Sequence, residues 1–580
     1  MHSEIKIMLA ILLVALMPAL VVAQEEETET ETKTKGTAEL GIWDTSVDGN
    51  PANVLEYEPD GTGPWVKADI ISAGKNGIRY EGDIRDSNWM TNDLDFDINR
   101  MFRSYNTLNI LLHRLGHESI DFYQAATVHG RSVIRTDLNP DSEYEIDYQL
   151  FQTWNQIQPK GFSNLTVGFG YRDQRRDGTR QQTIVSHCDT CHVQSFDRAQ
   201  NEKTQDIGLD LTWAFSQGFV RAAYNNREYS DSPTSVDFTY DRALHPELRT
   251  PIWDNRMQYD AINSPTPVDL RNDTNKDTLS LDGLWTSTNG LNIQAEGVWS
   301  ETKNEGTNIR SDFSGYAGNV TKRFGADRKW GIRWRGRAYE VTVDDYFVDS
   351  IERVAIAGPH TGRTYREVYD YDPDFLRQST RNRDVLTSKA DVSYRFNRTM
   401  GQVRGFWDYK TIDRQYYEVN IGQTKTTSNE LGVSWSARPG KGLKTYLLAA
   451  YGDGGNPFVG INSKYSTLVS QPAPSPLAPT SAQYFEFQNA RIAEGSASPE
   501  KWTRFEARGT YTGDVASVTA NYRYWSGDNQ NGDLLDWSRT NQAASVTLWS
   551  SPAPRWQWYA GYAYHDTGLD TVATIPLFEG

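Results

Sequence analysis

From Gly36 onward the chain alternates apolar and polar residues with a period of two rather than 3.6. In Val515–Ser526 the residues Ala516, Val518, Ala520, Tyr522 and Tyr524 alternate with Ser517, Thr519, Asn521 and Arg523. Arg555–Asp566 repeats the pattern with Trp556, Trp558, Ala560, Tyr562 and Tyr564, and the stretches from Ile207 to Phe215 and from Leu291 to Trp299 do the same. Tyr144, Ile146, Tyr148 and Leu150 form a further comb between Glu145, Asp147 and Gln149. Such alternation puts one set of residues on each face of a strand. The runs last about 10–13 residues, longer than the usual globular strand of about 5–6 and close to a tilted bilayer crossing. About 22 segments of this kind are legible along the chain.

The connections sort into two classes. Ser216-Gln217, Ser287 to Gly290, Asn397 to Met400, Pro439 to Gly442, Gly513-Asp514 and Ser551 to Pro554 read as tight turns. Arg175 to Glu202, Ser230 to Lys276, Asp344 to Val385, Gly454 to Glu500 and Gly527 to Thr540 read as long loops. Alternation of the two classes predicts an all-β fold, a large antiparallel transmembrane β-barrel of about 22–26 strands with short periplasmic turns and long extracellular loops. A soluble sandwich would have shorter strands, and a propeller would show a blade repeat of about 40–50 residues.

The N-terminus supplies an address. Lys6 precedes an apolar run from Ile7 to Val22, broken only by Pro18, and Val21-Val22-Ala23 offers small residues for cleavage. Residues 1–23 therefore read as a signal peptide, 24–35 as a flexible acidic N-terminus and 36–580 as the barrel. An exported barrel is expected in the bacterial outer membrane, with its lipid as a partner. Composition agrees once a barrel is considered. The 580 residues are only 37% hydrophobic and mean hydropathy is −0.66, which excludes a polytopic helical membrane protein. The 59 Lys+Arg against 76 Asp+Glu give a net charge of −17, the wrong sign for a nucleic-acid partner. Aromatic residues, 12% of the chain, gather at strand ends as the pairs Trp213/Phe215 and Trp556/Trp558 and as Trp299, Trp330, Trp435 and Trp549, the expected interfacial girdles.

If the apolar comb meets lipid, the opposite comb lines the lumen, and it is charged. Arg333, Arg335 and Arg337 lie between Ile332, Trp334 and Gly336; Arg504, Glu506 and Arg508 face away from Phe505 and Ala507. Asp206 and Asp210 sit opposite Ile207 and Leu209, and Glu145 and Asp147 opposite Tyr144 and Ile146. Both signs appear, so no simple anion- or cation-selective wall is expected. Strand-like sequence begins by Thr37, leaving no room for a folded plug. A barrel this wide is expected either to hold a separate protein or to fold its loops inward.

Both cysteines lie in His187-Cys188-Asp189-Thr190-Cys191-His192, within the predicted long loop 175–202. The CxxCH spacing matches covalent haem c attachment, with Cys188 and Cys191 as thioether thiols and His192 as an axial iron ligand. An exported Cys188–Cys191 pair can equally close as a reducible disulfide, and with His187 and His192 it offers a zinc set.

An exported barrel of this size, an unplugged charged lumen and one CxxC motif resemble the decahaem-associated outer-membrane proteins of the MtrB/PioB type, the porins of porin–cytochrome conduits. The resemblance rests on architecture over most of the mature chain, with the thiol pair as its one sharp motif. It implies a sheath around a periplasmic multihaem c-type cytochrome that supports electron transfer across the outer membrane, with an extracellular cytochrome as a further partner. Family members typically carry CxxC near the mature N-terminus, whereas here it is mid-chain. The alternative is a diffusive or substrate-specific porin with a redox or structural disulfide in a loop. No nucleophile triad or carboxylate pair stands out, so no enzymatic activity is expected. Barrels usually finish on an aromatic residue, and this chain finishes Pro576-Leu577-Phe578-Glu579-Gly580, so that either Phe578 serves as that signal or the sequence is incomplete.

Overall fold

The period-two pattern becomes paired strand in the computed structural model. The residues described are 33–48, 55–59, 61–73, 76–86, 88–99, 101–118, 134–186, 192–232, 272–344, 382–397, 399–414, 425–455, 499–529 and 537–570, with short pieces of the remaining loops. The first strands are β1 (Lys33–Thr45), β2 (Gly61–Ala73), β3 (Asn76–Asp86), β4 (Trp89–Ile98), β5 (Phe102–Leu115) and β6 (Tyr144–Ile157). Two long ones follow, β7 (Leu165–Ser186) and β8 (His192–Phe215), then β9 (Gly218–Asp231), β10 (Thr274–Thr286), β11 (Leu291–Asn304) and β12 (Arg310–Phe324). The next are β13 (Trp330–Val343), β14 (Arg383–Arg395), β15 (Gln402–Arg414), β16 (Lys425–Gly440) and β17 (Leu443–Gly455). The last are β18 (Lys501–Thr512), β19 (Ala516–Asn529), β20 (Trp537–Ala553) and β21 (Trp556–Asp570).

Each of these strands pairs antiparallel with the next. With the short strand Ile134–Asp137, which runs parallel to His192–Ser195 on β8, they make one 22-stranded sheet. The fold is a large all-β transmembrane barrel in the bacterial outer membrane. Most strands are longer than the 9–11 residues a tilted crossing needs, so they project beyond the apolar layer. Among the described residues, β1 and β21 are paired on one side only, and they are the most exposed strands of the sheet.

Turns at the end where β1 begins are short: 74–75, 99–101, 216–217, 287–290, 441–442, 513–515 and 554–555. The opposite end carries 232–273, 344–382 and 456–500, but also the tight connections 87–88 and 305–309. One predicted long loop is corrected. Residues 175–202 are mostly strand: Arg175 pairs with Lys203, and the register continues without slip to Ser186 opposite His192. The hairpin stands above the apolar layer with both faces polar. The alternation that marks a membrane strand is therefore missing, while cross-strand pairing persists.

The two faces differ as a barrel requires. On β8 the outward Ile207 and Leu209 are 46% and 51% exposed, whereas the inward Asp206 and Asp210 are 8% and 5% exposed, crowded by neighbours on the concave side. β6 departs from the expected orientation. Tyr148 and Leu150 stand opposite Arg176 and Gln174, in the inward rows, so Glu145 and Asp147 belong to the outward set. Tyr144 and Ile146 are buried rather than lipid-facing, because the top of β6 packs beneath the outer connections. The Tyr144 hydroxyl donates to Asp197 at 2.9 Å and its ring lies 4.9 Å from that of His117. Trp549 likewise sits in an inward row, opposite Ser517 and Tyr559, whereas Trp213, Trp330 and Trp435 follow the outward parity.

Candidate functional site: the inner wall

Register converts residues far apart in sequence into rows around the inner wall. One row runs Arg333, Asp391, Phe406, Gly432, Ala450, Arg504 from β13 to β18. The row beside it runs Arg335, Lys389, Asp408, Glu430, Gly452, Trp502, and a third begins Arg337, Thr387, Lys410, Ser428. Because antiparallel partners share a face, six strands present their charges to one surface.

The carboxylates of these rows hold the wall's own cations. Asp391 accepts from Arg333 Nε at 2.9 Å and lies 3.3 Å from Arg404 Nε. Glu430 accepts from Arg504 at 2.7 Å and from the Trp502 indole N–H at 2.9 Å. Lys389 bonds Asp408. Glu506 is 3.9 Å from Arg504, and Arg508 donates to Asn521 at 2.8 Å. Farther around the wall, Asp206 is clamped by Arg227 at 2.6 Å and Arg172 at 3.3 Å, and Asp210 lies 3.5 Å from Arg221. Part-exposed pairs of this kind contribute about 0–1 kcal/mol each, so their main effect is the field they set in the bore.

Glycine makes room for the wall's aromatics. A Cβ on Gly452 would stand 2.0 Å from the Trp502 ring, and one on Gly432 would stand 2.3 Å from the Phe406 ring. These rings lie flat over neighbouring strands and leave a concavity of about 500 Å³ lined by Arg335, Lys389, Arg404, Lys410, Trp502 and Arg504.

The sequence-predicted residues fall in two places. Arg333, Arg335 and Arg337 on β13 and Arg504, Glu506 and Arg508 on β18 have the inward parity. Strand order sets them well apart in sequence, yet Arg335 and Arg504 line the same concavity. Sequence reasoning missed Lys389, Asp391, Asp408, Lys410 and Glu430, which complete that surface. Their signal was present in Lys389-Ala390-Asp391-Val392 and Arg404 to Lys410, but the partners follow only from register. Cys188 and Cys191 lie outside the described residues, in the five-residue connection 187–191. His192 begins β8, where its backbone pairs with Ser186.

No family model matches the chain, and no curated protein does. Its fold is similar to solved outer-membrane structures at very low identity. The FrpB iron transporter from Neisseria meningitidis (F3-3 variant) is 9% identical with a TM-score of 0.43, covering 84% of this chain and 72% of that one. The ferric-catecholate import receptor Fiu from K12 E. coli is 10% identical with a TM-score of 0.40, covering 91% and 76%. The copper transporter OprC is 10% identical with a TM-score of 0.36, covering 94% and 75%.

The expected sheath around a multihaem cytochrome, with its haem-based electron transfer, is corrected by what the described residues offer. No group of three or more His, Cys, Asp or Glu side chains is placed to hold a metal ion among the described residues. The named wall carboxylates are engaged by side chains of neighbouring strands. The resemblance to the MtrB/PioB type narrows to the coarser statement that the chain is an outer-membrane β-barrel.

Proposed function

We propose that this protein is a transport-type outer-membrane channel that passes hydrophilic solutes through its bore, by diffusion or with substrate preference. One observation carries the reading: inward rows dense in Arg, Lys, Asp and Glu back directly onto outward rows such as Ile207, Leu209 and Leu211. A wall of that kind is wetted inside and solvated by lipid outside, which makes it a water-compatible path across an apolar layer. Ion pairs between neighbouring strands hold the side chains against the wall and keep them out of the centre of the bore. For the thiol pair we propose a disulfide between Cys188 and Cys191 in the 187–191 connection, the pairing that an oxidising exterior favours for vicinal exported thiols.

Liposome swelling tests the transport reading. Proteoliposomes carrying the full chain swell in iso-osmotic small sugars, at rates that fall as the sugar grows. Vesicles that hold folded protein yet swell no faster than protein-free ones would contradict it.

A further inference from the structure

The inward charges are not evenly mixed around the wall. On the rows of β13 to β19 the inward carboxylates are Asp391, Asp408, Glu430 and Glu506, whereas Arg333, Arg335, Arg337, Lys389, Arg404 and Lys410 face inward on β13 to β15 alone. This wall is basic in a chain whose net charge is −17. The opposite sector differs: on β4 the inward parity carries Asp93, Asp95 and Asp97.

Within the basic sector, Arg335 and Lys389 stand directly opposite each other across β13 and β14. Like charges in that position destabilise a sheet. Lys389 is matched by Asp408, but no hydrogen bond or ion pair holds Arg335 or Lys410 among the described residues. Both line the same concavity with Arg404, Arg504 and the Trp502 ring. Its volume of about 500 Å³ falls within the range of about 300–1,000 Å³ common to small-ligand sites.

We propose that this concavity is a binding site for a polyanionic solute, one bearing two or more phosphate or carboxylate groups, on its way through the bore. The inference rests on the transport reading and names the solute class for it. Arg335 supplies a planar fork suited to two oxygens of one anionic group, and Lys410 a compact charge for another. Asp391, Asp408 and Glu430 anchor Arg333, Arg404, Lys389 and Arg504, fixing the floor so that the unmatched cations set the net sign. Low-dielectric walls strengthen that field in the bore.

Two measurements on the detergent-folded full chain test this, with inorganic pyrophosphate and tricarballylate as probes. Titration calorimetry reads binding without requiring passage, and the zero-current potential across a planar bilayer in a KCl gradient reads selectivity. The expected results are binding of at least one probe, weakened tenfold or more in the Arg335→Gln/Lys410→Gln double variant, and an anion-selective potential. Lys303→Gln, which removes a cation near the outer end of β11, leaves binding within twofold. A preference for pyrophosphate assigns phosphate, and for tricarballylate carboxylate, as the recognised group. Conductance without binding of either probe, a cation-selective potential, or equal binding by the double variant overturns the site while the transport reading stands. Binding without conductance overturns the transport reading and keeps the site.

Discussion

At the scale of single residues, the inner wall depends on small side chains as much as on charged ones. Trp502 can reach Glu430 because Gly452, directly between them on β17, has no side chain to lift the indole. Gly452→Val therefore displaces the Trp502 ring, breaks its bond to Glu430 and leaves Arg504 less well held. Overpacking of this kind costs about 1–3 kcal/mol, and the loss is expected as a lower unfolding temperature or denaturant midpoint in detergent. Trp502→Ala in the same background removes the clash, so the Gly452→Val penalty should shrink in the double variant. A penalty that persists undiminished would show that Gly452 is required for another reason. The buried Arg198–Asp231 pair, at 3.1 Å with both side chains at most 2% exposed, is a different case. It fastens the tall hairpin to the end of β9, where removing one partner would strand a buried charge.

At the scale of elements, the outer hairpin β7–β8 is strapped from the side. The short strand Ile134–Asp137 adds to β8, Leu138 N donates to the Ser195 carbonyl at 2.8 Å, and Asp197 N donates to Asn139 Oδ1 at 3.0 Å. His117 closes the base of this connection, with Nε2 at 2.6 Å from Asp137 Oδ2 and Nδ1 at 2.8 Å from the Ser142 carbonyl. The bond to Asp137 raises the His117 pKa, against an opposing effect of burial. Burial alone would raise Asp137, but hydrogen bonds from His117, Asn139 N and Ser195 together hold its carboxyl below the usual range. The sign follows from both shifts. The His117 contribution is fully present below about pH 6.5 and is lost as pH rises through its raised pKa; that of Asp137 is present above about pH 3.9 and is lost as pH falls through its lowered one. Limited proteolysis of the 116–143 connection should thus be slower at pH 5.5 than at pH 8.5, with the difference abolished in His117→Gln. Equal rates at both pH values in the native chain would contradict the clasp. None of this was legible in sequence. The combs at Ile207–Phe215 and Leu291–Trp299 announced strands because one face meets lipid, whereas 175–202 is mostly polar on both faces, even where Ser195, Arg198 and Gln200 are buried, and so looks like a loop. The orientation of β6 was misread for a related reason: Tyr144 and Ile146 are apolar because outer connections cover them, and period alone does not distinguish that cover from lipid.

At the scale of the whole molecule, sequence patterning was sufficient for the barrel and for the inward parity of Arg333 to Arg337 and Arg504 to Arg508, since both follow from alternation. It could not show that β13 to β19 gather the cations, because that depends on which strands stand side by side. The electron-conduit reading joined the barrel architecture to one short motif, Cys188 to His192, whose thiols lie outside the described residues, while the polar bore follows from rows spread over the entire sheet. Single-channel recording tests the central claim most directly. The folded full chain, added to a planar bilayer in KCl, is expected to produce discrete conductance steps that persist without any added cytochrome. Folded, bilayer-inserted protein that shows no steps would contradict a solute-passing barrel.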